Sequence, residues 1–303
     1  MHAILIALLV ASAPDSARGD TLAWALRPAA TIAPQGDGRG QVLEPSGVAV
    51  DAFGRIVVAD AAVHRLQRFD ADGRWMGESG SLGSDAGQLR RPESVAMLGA
   101  LTVAVLDREN RRVESYDVFG HRLGTIVDLQ SATLTDQTGR IEPIALTADR
   151  GGALYVADGD RDRVLVFDAT GTLLRTIGGF GARPGSFRGL AGLAATGDGG
   201  IVTAERGNAR VQRFDPSGRV AVAWPIAVSR TAGAMAVAAD DSGRVAIADE
   251  PGGSVRVFDR GGRALAAVTG LARPRALAFA PDGTLLVAEA AGAVRRFTLL
   301  RRE

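Results

Sequence analysis

The sequence predicts an all-β fold: a six-bladed β-propeller of four-stranded antiparallel blades, closed by an N-terminal strand that completes the last blade. Three observations predict it. Segments beginning at Pro45, Pro92, Pro143, Leu190, Ala234 and Pro274 follow one another at spacings of 47, 51, 47, 44 and 40 residues, the length of one four-stranded blade. Within the segments an acid, a basic residue, an aromatic, an aspartate and a glycine recur at fixed offsets. Glycines also fall where short strands must reverse.

Fifteen residues into each segment stands Asp60, Asp107, Asp158, Glu205, Asp249 or Glu289. Twenty residues in come Arg65, Arg112, Arg163 and Arg210, with Ser254 in the fifth segment. Twenty-four residues in come Phe69, Tyr116, Phe167, Phe214 and Phe258, each followed by Asp and, three positions on, by Gly. The sixth segment is one residue shorter and places Phe297 in the aromatic role. Aromatics make up only 5% of the chain, so this alignment is not chance.

Each offset has a mechanical reason. Runs such as Arg55 to Asp60 are apolar at consecutive positions, as a strand covered on both faces by neighbouring blades requires. Gly54, Gly152, Gly199, Gly243 and Gly283 separate the first two strands of their blades, where a hairpin demands positive φ. The second segment departs, with Leu101 at that offset and Gly99 two residues earlier. The Asp-x-x-Gly set of Asp70 to Gly73 and its equivalents turns the third strand into the fourth. Each segment therefore reads as strand, glycine turn, strand, loop, strand, aspartate turn, strand.

The chain ends at Glu303, directly after the third strand of the sixth segment. Gly36 to Pro45 matches Gly83 to Pro92, a link that follows a fourth strand. Leu22 to Ile32 is therefore expected to supply the missing outer strand, closing the ring and removing a sheet edge.

Ahead of the propeller, Ala3 to Ala11 is an unbroken apolar run, too short to span a bilayer as a helix and followed by Ala11-Ser12-Ala13. Residues 1–20 are read as a signal peptide or leader, with cleavage as late as residue 23. That places the product in the periplasm or outside the cell. Residues 21–303 form one domain. No later stretch has the length and hydropathy of a transmembrane helix.

Composition narrows the chemistry. The chain has no cysteine, which removes disulfides and thiolate metal sites. All 35 basic residues are arginine and the net charge is +1, so no global field draws it to nucleic acid.

The segments from His64 to Asp70, Asn110 to Val113, Arg161 to Asp168 and Asn208 to Asp215 resemble the NHL repeat signature: an acid, a short loop, Asn-His-Arg-Val, then an aromatic and Asp. The link from Gly178 to Phe187 resembles that family's glycine-rich blade connector. The resemblance covers about residues 21 to 303, strong in four repeats and eroded in the last two. It implies a six-bladed propeller with a central channel. It does not imply one function, because the fold carries binding modules, scaffolds and enzymes.

Propellers of this kind bind on the face bearing the loops between second and third strands. Here that face is expected to carry His64, Arg108, Glu109, Asn110, Arg111, Asp160, Arg161, Asp162, Arg206, Asn208 and Glu250 as ligand- or partner-binding candidates. The recurring acid–arginine pairs read as structural staples, since a scaffold repeats while a site is usually unique.

The resemblance also opens an enzymatic alternative. Gluconolactonase-like propellers hold a divalent cation such as calcium in the channel. Glu44, Glu93 and Glu142, beside the first-strand starts, offer hard oxygen ligands of that kind, for a metal-dependent hydrolase or lactonase. A histidine zinc site cannot be assembled from His2, His64 and His121. No nucleophile elbow or phosphate loop is present. The sequence thus favours a monomeric binding or scaffold module for a protein or polar ligand, with no assigned catalytic residue, no cofactor and no nucleic-acid partner.

Overall fold

A computed structural model describes residues 22–229 and 231–302. The expected leader, 1–20, lies outside the described residues. The strands form six four-stranded antiparallel sheets. Five of them are meanders in chain order, and the sixth places Trp24–Ala33 beside Ala293–Arg301.

The innermost strands are Pro45–Val50, Pro92–Leu98, Pro143–Ala148, Leu190–Ala195, Met235–Ala239 and Pro274–Phe279. They stand around one axis and line a channel with a cavity of about 280 Å³. Gly47 and Gly192 show how closely they approach. A Cβ on Gly47 would lie 2.9 Å from the backbone nitrogen of Val95, and one on Gly192 would lie 2.3 Å from the carbonyl oxygen of Met235.

The second strands Ile56–Asp60, Leu154–Asp158, Ile201–Glu205, Val245–Asp249 and Leu285–Glu289 are buried at every position. Their unbroken apolar runs are explained by this: both faces of each sheet pack on another blade. The recurring aromatics fill the same interfaces. Tyr116, Phe69, Phe167, Phe214 and Phe297 are among the largest fully buried side chains.

The hydrophobic core is divided into six clusters, each joining two adjacent blades. One cluster sets Val48, Ile56 and Phe69 of the first blade against Ala276, Leu286 and Val294 of the sixth, together with Ile32 and Ala33 of the N-terminal strand. Another sets Ala104 and Leu106 against Leu146 and Val156. The remaining four link the other neighbouring pairs in the same way.

One element departs from the sequence reading. The 51-residue spacing between Pro92 and Pro143 contains a short helix, Ala132–Thr138, where the links ending at Pro45, Pro92 and Leu190 are glycine-rich. Leu134 anchors it among Val127, Leu129 and Ile141, and Gly139 ends it at φ 69°. Seven residues span too few turns to show a helical period. The unusual spacing was its only trace in the sequence.

The loop face and channel mouth as candidate functional site

The acid that ends each second strand faces inward and binds its own blade's connector. Asp60 accepts the backbone N–H groups of Leu43 and Glu44. Asp107 accepts that of Arg90, Asp158 that of Glu142 and Glu205 that of Arg188. The arginine that begins the third strand closes the latch. Its distances to the acid are 3.7 Å for Arg65–Asp60, 2.9 Å for Arg112–Asp107, 2.9 Å for Arg163–Asp158 and 2.7 Å for Arg210–Glu205.

The same guanidiniums donate to connector carbonyls. Arg65 reaches Gly38 and Gln41, Arg112 reaches Ser84 and Gln88, and Arg210 reaches Ala182 and Ser186. Arg163 donates to Thr138 at the end of the short helix, so the helix is held by the device that holds the glycine connectors elsewhere. Burial pushes the Asp107 carboxyl above the usual range, against the pull of the Arg90 N–H, Asn110 and Arg112.

The last two blades keep the latch with other residues. Asp249 pairs with Arg206 of the preceding blade at 3.0 Å. Glu289 pairs with Arg295, two positions beyond the Ala293 that replaces the usual arginine. Ser254 and Ala293 stand at the equivalent positions in these two repeats, so the repeat register alone shows the arginine as missing there.

Most of the expected face residues are engaged by neighbouring loops. His64, at φ 58°, accepts the Arg91 N–H on Nδ1 at 3.0 Å. Asn110 donates to Gly83 and Asp107, and Asn208 to Gly181 and Glu205. Arg111 donates to the Ile141 carbonyl and Arg161 to that of Arg140. Asp162 is buried and accepts the Leu190 N–H at 2.7 Å. Arg206 gathers the carbonyls of Ser229, Thr231, Gly233 and Ala234. Glu250 accepts the Ala234 N–H and pairs with Arg273 at 2.6 Å. Glu109 and Asp160 remain exposed to solvent.

Glu44, Glu93 and Glu142 come together at the channel mouth, but three arginines stand among them. Arg275 bridges Glu44 at 2.5 Å and Glu93 at 2.9 Å. Arg108 lies 3.8 Å from Glu93 and 3.2 Å from Glu142. Arg91 pairs with Glu44 at 2.8 Å. Burial raises the Glu44 carboxyl, but Arg91 and Arg275 outweigh it and hold the group below its ordinary value. Burial likewise weakens the Arg275 charge, and Glu93 and Glu44 more than restore it. A divalent cation here would face three guanidiniums that already balance the carboxylates, so the donor set does not fit the ion. Among the described residues, no group of three or more metal-ligating side chains is free to converge on one ion.

Residues 43–69, which hold Glu44 and the Asp60–Arg65 latch of the first blade, match the NHL repeat. The chain is a six-bladed β-propeller that carries a segment matching the NHL repeat. It is 33% identical over 141 residues to Protein brain tumor of Drosophila melanogaster, a match covering 46% of this chain and 13% of that protein. It is 28% identical over 124 residues to the E3 ubiquitin-protein ligase NHLRC1 of Homo sapiens, covering 41% of this chain and 31% of that one. The matches thus span less than a third of the length of these two relatives.

Solved propellers of enzymes share this fold. The streptogramin B lyase structure superposes with a TM-score of 0.63 at 13% identity, covering 85% of this chain and 94% of that one. A gluconolactonase of Xanthomonas campestris superposes with a TM-score of 0.63 at 16% identity, covering 89% and 88%. At such identities the likeness is one of architecture. Among the described residues no helix is long and apolar enough to cross a membrane.

Proposed function

We propose that this NHL propeller is an exported binding or scaffold module that presents its loop face to a protein partner or a polar ligand. NHL propellers are interaction modules, and one observation favours that use here. Most of the ionisable side chains of the loop face are paired with one another or with backbone, which makes the face rigid and leaves few charges unbalanced. Recognition then rests on the shape of fixed loops and on exposed groups such as Glu109 and Asp160. The apolar run from Ala3 to Ala11 with its small-residue site supports export to the periplasm or beyond.

Site-specific photo-crosslinking tests the face. Crosslinkers placed at Glu109 and Asp160 should capture a partner in cell extract that one placed at Leu174, on an outer strand, does not. Equal capture from the three positions would sink the proposal. The alternative, a metal-dependent hydrolase, predicts that a chelator-stripped sample gains thermal stability with one divalent ion, by about 2.7 kcal/mol at a hundred times its Kd. The arginines among Glu44, Glu93 and Glu142 predict no such gain.

A further inference from the structure

The face opposite the loops carries the turns between first and second and between third and fourth strands. The residue before the turn glycine points to solvent, and the repeats set an expectation for it. In the first type of turn it is Gly151, Asp198, Ser242 or Asp282, and in the second it is Asp72, Thr170, Ser217 or Gly261. These are small or polar turn formers. Two positions break the pattern: Phe53 in the first blade, 70% exposed, and Phe119 in the second, 58% exposed.

The two rings are neighbours in space. Arg55 lies between them, its guanidinium carbon 5.3 Å from the Phe53 centroid and 5.8 Å from that of Phe119. Leu101, also 58% exposed, is held alongside by the hydrogen bond from the Val118 N–H to its carbonyl. It stands where other blades have the turn glycine. Nε of Arg55 bonds Asp51 at 2.5 Å, and among the described residues its terminal nitrogens make no hydrogen bond. Asp51 is buried, pairs with that Nε through Oδ2 and accepts the N–H groups of Phe53 and Arg55 on Oδ1, so it orients the guanidinium while leaving the terminal nitrogens unbonded. The guanidinium thus presents free donors between two exposed aromatic rings and a leucine.

We infer that Phe53, Phe119, Leu101 and Arg55 form a second docking site, for a linear peptide segment of a partner protein in which an acidic side chain is flanked by apolar ones. The fork of donors suits a carboxylate, and the rings suit the flanking apolar groups. Three apolar side chains cannot supply the roughly 1,200 to 2,000 Å² that a stable dimer buries, which argues against a second copy. The site lies on the face opposite the loop face, so it stands or falls separately from the function proposed above.

Fluorescence anisotropy on the full chain tests this with three short labelled peptides, alternating leucine with glutamate, leucine with lysine, and serine with glutamate. Binding of the leucine–glutamate peptide is expected, weakening as salt is raised. The other two should bind about tenfold more weakly or worse. Phe53→Ser with Phe119→Thr, and separately Arg55→Thr, place residue types found at the same offsets in other blades. Each should cost about tenfold or more in affinity; the phenylalanine pair should leave the melting temperature in place, and Arg55→Thr is made together with Asp51→Asn so that no buried charge is stranded. Should the double variant fail to fold, Phe119→Thr alone carries the comparison. Undiminished binding by the variants, equal binding of the lysine peptide, or no binding overturns the site. Self-association abolished by the double substitution would assign the patch to a second copy. Binding to phosphatidylglycerol vesicles abolished by it would assign the patch to lipid. Either result overturns the peptide assignment.

Discussion

At the residue scale the latch arginines stand out, because each satisfies a carboxylate that has no other route to solvent. Glu205 is fully buried, and Arg210 pairs with it while holding three connector carbonyls. Removing one partner of a buried pair strands the other charge, at about 3–5 kcal/mol. Arg210→Ala should therefore destabilise by roughly that amount in denaturant melts. Adding Glu205→Gln should recover part of the loss, because the stranded charge goes with it. A single variant as stable as the parent would refute the latch.

Glu44 gives the pH counterpart. Its pKa is lowered by Arg91 and Arg275 from the ordinary 4.5. The unfolded chain therefore binds the proton more readily, and the carboxylate's contribution is present above 4.5 and lost as pH falls below it. Glu44→Gln should flatten the acid limb of the stability profile there and leave the neutral difference between the two proteins as its main effect. Asp107 works in the opposite sense. Its pKa is raised above 3.8, so it costs stability as pH rises through that value. The profile of Glu44→Gln must therefore be read against the parent and not alone.

At the scale of the element, the turns separate two physical demands that the sequence shows only as glycine. Gly152 and Gly171 have nearly the same φ, 88° and 86°. A Cβ on Gly152 would meet nothing closer than 3.6 Å, whereas one on Gly171 would lie 1.9 Å from the Ile126 carbonyl oxygen of the preceding blade. Gly152→Ala should cost only the backbone term, about 1–2 kcal/mol. Gly171→Ala should cost several kcal/mol more, since blade contacts must part as well. Equal losses in calorimetry would show that the blade contact yields without penalty.

The same contrast marks how far the sequence could be read. Strand order, turn positions and the buried role of Phe69, Tyr116, Phe167, Phe214 and Phe297 were legible, because each depends on neighbours within one repeat. The pairing of Arg275 with Glu44, 231 residues away, was not, because it depends on which loops meet around the axis. Arg206 and Arg295 were hidden for a related reason. They restore the latch from positions that are not equivalent to Arg65, so comparing offsets passes over them. The meeting of Phe53 with Phe119 joins different turns of different blades and is equally invisible to a repeat alignment.

At the scale of the molecule, stability depends on every blade having two neighbours, and the join between chain ends is where that condition rests on a single strand pair. Trp24–Ala33 pairs with Ala293–Arg301 across the outer part of the sixth sheet. It places Ile32 and Ala33 in the cluster shared with the first blade and Leu26 in the cluster shared with the fifth. A chain beginning at residue 34 would expose these two surfaces and leave the backbone of Ala293–Arg301 as an unpaired edge. Each large side chain removed is worth about 1.5–3 kcal/mol. A domain of this size loses roughly 2–4 °C per kcal/mol. Relative to a chain beginning at residue 22, the shorter one should melt about 10 °C or more lower and lose solubility. Supplying residues 22–33 as a separate peptide should return part of that stability, since binding confined to the folded state raises it by mass action. A shortened chain that melts with its parent would mean that the interfaces flanking the sixth blade hold without its outer strand, and that closure rests on the inner three strands alone.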